Sequence, residues 1–123
     1  MALWVKDLEN TRLFYQKYFQ AEAGERYVNN LKQFTSYMLT FEDGGQIEIM
    51  NRRDVAGKVK SSQEFLGWAH IAIGTGSKEK VLELTETLRR DGFKIASEPR
   101  VTGDGFFESV VLDPEGNRVE ITI

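Results

Sequence analysis

SYMLTFEDGGQIEI, residues 36–49, and ESVVLDPEGNRVEI, residues 108–121, are two versions of one pattern: an apolar strand, a turn, and a returning strand with an apolar-Glu-Ile unit. That unit is Ile47-Glu48-Ile49 in the first copy and Val119-Glu120-Ile121 in the second. Asp43-Gly44-Gly45 reads as a tight hairpin turn because glycine reaches positive φ without a steric cost. Asp113-Pro114-Glu115-Gly116 reads as a turn one residue longer. An internal repeat decides the architecture before any single element does, because each copy must be built by the same local rules.

Ahead of each hairpin lie a short strand and an amphipathic helix. Ala2-Leu3-Trp4-Val5 is strand-like, and Asp7 is placed to cap a helix in which Leu8, Thr11, Tyr15, Tyr18 and Phe19 recur at helical spacing. Further strands are expected at residues 25–28, 34–41 and 46–50. The pattern restarts with Ala69-His70-Ile71-Ala72-Ile73, a Ser77 cap, the stripe Val81, Leu82, Leu84 and Leu88, and Gly92 at the helix exit. Strands at 93–96, 106–112 and 117–123 follow, with residues 98–105 read as an interruption. The expected fold class is therefore α+β: two tandem βαβββ modules in a single domain over residues 1–123, with module 1 at 1–50, a linker at 51–67 and module 2 at 68–123. The polar, aperiodic linker carries a modest basic stretch of Asn51-Arg52-Arg53, Lys58 and Lys60, which reads as a solvated loop.

Composition narrows the function. The chain has 123 residues, 41% apolar and 28% charged, which suits a packed domain, and its net charge of −3 gives no general attraction to nucleic acid or anionic lipid. It contains no cysteine, so neither disulfides nor thiolate chemistry enter. No run of residues is apolar enough for a membrane helix. The expectation is a cytoplasmic protein with a small-molecule ligand, no nucleic-acid partner and no membrane partner.

Period-two alternation puts Glu48 and Glu120 on the face opposite their isoleucine neighbours. Each could simply be the solvent-side residue of a half-wet sheet. Repetition favours more: equivalent carboxylates in two modules face each other if the modules share a cavity. His70, the only histidine, could be a satisfied core residue, yet its imidazole could also join two glutamates around a divalent metal. Trp4, Phe34, Tyr37, Trp68 and Phe107 are candidate cavity-lining aromatics. No residue is assigned to an organic cofactor.

ALWVKDLENTRLFYQKYF at residues 2–19, GWAHIAI at 67–73 and VVLDPEGNRVEI at 110–121 together resemble the vicinal oxygen chelate superfamily. Its members include glyoxalase I, extradiol dioxygenases, fosfomycin resistance enzymes and bleomycin-binding proteins. The resemblance covers nearly the whole chain and implies a homodimer whose paired βαβββ modules form a half-open barrel around a cavity. It implies Glu48, His70 and Glu120 as ligands for nickel, manganese, zinc, iron or cobalt. Aligning Ala2-Leu3 with Ala72-Ile73 puts the counterpart of His70 one position before Met1, so metal binding is expected to be weak. The implied function is a glyoxalase-like, lactoylglutathione-lyase type of isomerisation of a 2-oxoaldehyde–thiol adduct. Glu120 would be the base and Glu48 the runner-up, with Arg52, Arg53 or Arg100 available to a substrate carboxylate. Two alternatives stand beside it, a metal-independent drug- or toxin-binding protein of the bleomycin-resistance type and an extradiol dioxygenase-like oxidoreductase.

Overall fold

Asp7 holds the extended backbone of a helix cap and its carboxylate accepts the Asn10 N–H at 2.9 Å, which satisfies one of the donors left open at a helix start. In the computed structural model, which describes residues 1–55, 69–103 and 105–123, this cap opens helix α1 (Leu8–Phe19). The helix follows strand β1 (Ala2–Trp4) and precedes β2 (Glu22–Ala23), β3 (Tyr27–Asn29), β4 (Phe34–Thr40) and β5 (Gln46–Arg52). It ends at Gln20, whose φ of 51° is left-handed. The second set of elements is β6 (Ile71–Gly74), α2 (Lys78–Arg90), β7 (Ile95–Val101), β8 (Phe107–Leu112) and β9 (Arg118–Thr122). Ser77 caps α2 by accepting the Lys80 N–H at 3.2 Å, and Asp91 ends it.

The chain divides into two compact units, Met1–Lys58 and Val59–Ile123, each with its own sheet. The first sheet runs β1-β5-β4-β2, with β3 also on β4; the second runs β6-β9-β8-β7. In both, the opening strand pairs in parallel with the last one, in the same register: Ala2 with Glu48 and Leu3 with Ile49, Ala72 with Glu120 and Ile73 with Ile121. The repeat is thus real down to single positions. Phe14, Tyr15, Tyr18 and Phe19 of α1 are buried together with Leu39, Ile47 and Ile49 of the strands. Val81 and Leu88 of α2 are buried, as are Val111, Val119 and Ile121 of the second sheet. Burying each such side chain fully is worth about 1.5–3 kcal/mol.

Four expectations need correction. The half-open barrel is not formed: neither sheet closes on itself or curls; β1, β2 and β3 of the first and β6 and β7 of the second have one neighbour each. Closure needs strands tilted and staggered until the two edges hydrogen-bond each other, and no such pairing joins the edges of either sheet. The second turn is no longer than the first, because Phe41 N–H to Gly45 O and Asp113 N–H to Asn117 O close loops of equal length. Gly44 and Gly116 take the same place in them, with φ of 85° and 78°. Residues 98–101 do not interrupt β7; the strand absorbs Pro99 through register shifts between Ile95 and Arg100, as an edge strand can. Finally, β5 continues through Asn51, whose side-chain amide donates to the Val5 and Lys6 carbonyls at 2.9 and 3.1 Å. Most of the expected linker lies outside the described residues.

The two turns differ in what holds them. Asp113 is buried, and its carboxylate accepts the Glu115 N–H at 2.9 Å, the Asn117 N–H at 2.8 Å and the Asn117 side-chain amide at 3.0 Å. Asp43 is exposed and accepts one bond, from the Gly45 N–H at 2.9 Å. Charge-assisted bonds to a buried carboxylate are worth about 1.5–3 kcal/mol together with the cost of orphaning their donors. Asp113→Ala is therefore expected to destabilise the chain by about 2–4 kcal/mol in urea denaturation and Asp43→Ala by less than about 1 kcal/mol. Equal losses would show that the second turn is not held by its aspartate.

Candidate functional site

Because each helix covers one face of its sheet, the strand residues of opposite parity lie on the other, open face. In the second unit the register across that face is Ala72 with Glu120, Glu108 with Thr122, and Arg100 with Glu108. His70 leads into β6 two residues before Ala72, and its Nε2 lies 3.3 Å from Glu120 Oε2. Glu108 stands near enough to Glu120 to raise the proton affinity of its carboxyl, and Arg100 Nη1 stands 3.5 Å from Glu108 Oε1 while donating to Ser97 Oγ at 2.7 Å. The result is a polar row, His70–Glu120–Glu108–Arg100, crossing all four strands. Its inner members are sheltered, with side-chain exposures of 15% for Glu120 and 10% for Glu108, and its outer ones are open, at 44% for His70 and 51% for Arg100.

A carboxyl sheltered from water and set beside a second carboxyl holds its proton more tightly than a free one. Burial is the main force raising the Glu120 carboxyl above its ordinary value. A protonated His70 opposes it, the Glu108 carboxylate and hydrogen bond add to it, and Arg100 opposes it again. A carboxylate with raised proton affinity beside an imidazole is chemically suited to accepting and returning a proton.

The sequence candidates fall on different faces. His70 and Glu120 come together. Glu48 occupies the equivalent position in the first unit, half-buried and paired with Ala2 and Met38. Trp4 and Phe34 share the open face of the first sheet, with ring centroids 6.0 Å apart and planes at 87°. Tyr37 is on the α1 side. Its hydroxyl donates to Glu9 Oε1 at 2.9 Å, a bond that holds the Glu9 carboxyl below its ordinary value. Phe107 is on the α2 side, with Lys78 Nζ 4.7 Å above its ring. Trp68 lies outside the described residues. Glu108 was missed, although the signal is in the sequence: folding the hairpin about residues 113–117 sets Val110 opposite Glu120 and Glu108 one step along the same face. Among the described residues, no group of three His, Cys, Asp or Glu side chains stands together as a metal-binding set. No described helix is long and apolar enough to cross a membrane.

Two α+β units built to one pattern, each with a sheet face that its helix does not cover, define the fold class. The sequence model of the Glyoxalase/Bleomycin resistance protein/Dioxygenase superfamily matches residues 1–121, and the chain belongs to that family. No curated protein sequence matches it significantly. Among solved structures, glyoxalase I from Zea mays is similar with a TM-score of 0.79 at 22% identity, over 98% of this chain and 42% of that one. This chain thus spans less than half of the maize enzyme. A glyoxylase/bleomycin resistance protein/dioxygenase domain from Frankia sp. EAN1pec gives 0.83 at 14% identity, over 100% of this chain and 93% of that one. The trypanothione-dependent glyoxalase I of Leishmania major gives 0.76 at 22%, over 99% and 82%. At these identities the likeness establishes the fold.

The raised Glu120 pKa has a consequence for stability. A carboxyl whose folded value lies above its unfolded value, about 4.3, contributes stability that is complete below that unfolded value and is lost as pH rises through the folded one. Glu120→Gln keeps the shape without the charge. It is expected to melt higher than the parent at pH 7.5 with EDTA present, and the gain should shrink towards pH 4. A gain that is the same at both pH values would mean that burial of the charge is not its cause.

Proposed function

We propose that the chain is a glyoxalase-like lyase or isomerase that moves a proton between adjacent carbons of a small 2-oxoaldehyde–thiol adduct. Glu120 serves as the base, with Glu48 as the second choice. The observation that carries this reading is the sheltered Glu120 carboxyl, raised in proton affinity and in contact with His70 at 3.3 Å. Glu120 takes the proton from the hydroxyl-bearing carbon and returns it to the neighbouring carbonyl carbon, while the hydroxyl proton passes to the former carbonyl oxygen; one C–H and one O–H bond break, one of each forms, and no oxidant or reductant is needed. Glu108, beside it, adds to the proton affinity of Glu120.

A divalent metal, nickel, manganese, zinc, iron or cobalt, belongs to the same reading. The donor set passes one test of fit: two ligand atoms on bonds of about 2.1 Å at neighbouring corners of a metal stand about 3.0–3.4 Å apart, and His70 Nε2 and Glu120 Oε2 are 3.3 Å apart. Glu48 is proposed as the third donor. The second unit by itself supplies this pair and no third ligand among the described residues, which favours weak binding. When bound, the metal supplies positive charge for the oxygens of the substrate. The exposed Trp4, 43% accessible beside Phe34, favours a second reading, a metal-independent protein that binds an aromatic drug or toxin. The unpaired sheet edges favour a homodimer, and the absence of cysteine a cytoplasmic location.

Isothermal titration with nickel, manganese and zinc tests the metal site. His70→Ala and Glu120→Ala should each weaken binding at least about tenfold, or 1.4 kcal/mol, and Glu120→Gln should abolish isomerisation of a methylglyoxal–thiol adduct while the protein still folds. Metal binding indifferent to both alanine variants would remove the metal assignment, and an active Glu120→Gln protein would remove the base. Light scattering should return twice the 14.1 kDa chain mass; a monomer mass at micromolar concentration would exclude the dimer.

A further inference from the structure

In the first unit the turn between β3 and β4 faces the end of β5 across an open cleft of about 630 Å³, lined by Leu31, Lys32, Gln33, Arg52, Arg53 and Asp54. Three cations meet one carboxylate there, in a chain whose net charge is −3. The carboxylate is already engaged, since Arg52 Nε donates to Asp54 Oδ1 at 2.6 Å. Lys32 and Arg53 have no carboxylate partner among the described residues. With Asp54 engaged by Arg52, an oxyanion placed between Lys32 and Arg53 would relieve the repulsion of their like charges.

Arg52 links this cleft to a second feature. Its guanidinium lies 5.2 Å from the centre of the Trp4 ring, and it pairs in register with Phe34. Trp4 meets Phe34 edge-on, and Tyr27 meets Phe34 at 5.9 Å and 62°. Edge-on contacts leave ring faces uncovered, and Trp4 and Tyr27 are 43% and 54% accessible. Gln33, on the cleft wall next to Phe34, has a φ of 48°, a left-handed conformation that non-glycine residues seldom hold outside functional or tightly determined positions.

We infer that this cleft binds a small aromatic anion, a carboxylate or a phosphate. The head group sits among Lys32, Arg53 and the Nη edge of Arg52, and the ring lies along Trp4 and Phe34. A guanidinium pinned by Asp54 on one side and by an indole on the other presents its fork with little freedom left to lose, which suits two-point recognition of a planar or tetrahedral oxyanion. Cations in an open cleft stay hydrated, so an anion without a ring gains little; the ring supplies apolar burial and stacking. None of these residues belongs to the proposed metal set or acts as the base.

The test is calorimetric titration of the full chain with EDTA present, so that a failed metal reading leaves the result intact. The probes are naphthoate and naphthyl phosphate, with neutral naphthamide and ringless inorganic phosphate as controls. At least one aryl anion is expected to bind about tenfold or more tighter than both controls, the tighter of the two identifying the head group. A Lys32→Gln, Arg53→Gln double variant with an unchanged melting temperature should lose at least about tenfold of that affinity, and Trp4→Leu should lower it as well. The inference falls if neither aryl anion binds the parent, if naphthamide binds as tightly, or if the folded double variant binds like the parent.

Discussion

The parallel pairing of each unit's opening strand with its returning strand is the constraint on which the rest depends. Parallel neighbours cannot be joined by a tight turn, so the chain between them must cross over, and α1 and α2 begin that crossing. A helix that crosses over one face commits Ile47 and Ile49, or Val119 and Ile121, to burial beneath it. The same pairing then leaves Glu48 and Glu120 no choice of side. Shifting either register by one residue would bury the glutamate under a helix and expose its two apolar neighbours, a reversal that no local interaction in these sheets could offset.

Within that common frame the two open faces have diverged. Where the second unit has Glu108 opposite Thr122, the first has Ser36 opposite Met50; where the second has Val110 beside Glu120, the first has Met38 beside Glu48. One face is therefore a row of titrating groups and the other is built of aromatics, methionines and a guanidinium. The second turn carries the heavier duty. Asp113 fixes the hairpin that sets Glu108 and Glu120 on one face, whereas the aspartate of the first turn is exposed and adds one bond to that turn's backbone pairing.

Much of this was legible in the residues. The caps at Asp7 and Ser77, both helices, the hairpins and the equivalence of Glu48 with Glu120 follow from spacing and local chemistry, because those features depend on neighbours in sequence. Curvature does not, and the expected barrel failed on it: alternation says which side a residue takes, not how far a sheet bends. Tyr37 and Phe107 were expected to line a cavity on the strength of being aromatic. Their parity, shared with Leu39 and Ile49 in one sheet and Ser109 and Val111 in the other, already assigned them to the helix side. The basic run at Arg52 and Arg53 read as solvated loop because the turn facing it lies some twenty positions earlier in the chain, and only pairing of β4 with β5 brings them together.

The polar row explains why a sheet face can bear two sheltered carboxyls without unravelling. An isolated ionised carboxylate in that setting would be strongly disfavoured. Here the exposed His70 and Arg100 flank the pair, one at each end, and their positive charge opposes the rise that burial imposes on the Glu120 carboxyl. Each outer group keeps its own access to water, so it retains most of its hydration while lending charge inward. Burial pulls the proton affinity of Glu120 up, and the charges of His70 and Arg100 pull it down, so this carboxyl sits at a balance between a sheltered centre and two open ends. A row buried to its ends would strip the hydration that lets the outer groups carry charge. Incomplete burial at His70 and Arg100 is what keeps two neighbouring carboxyls within what the sheet can bear.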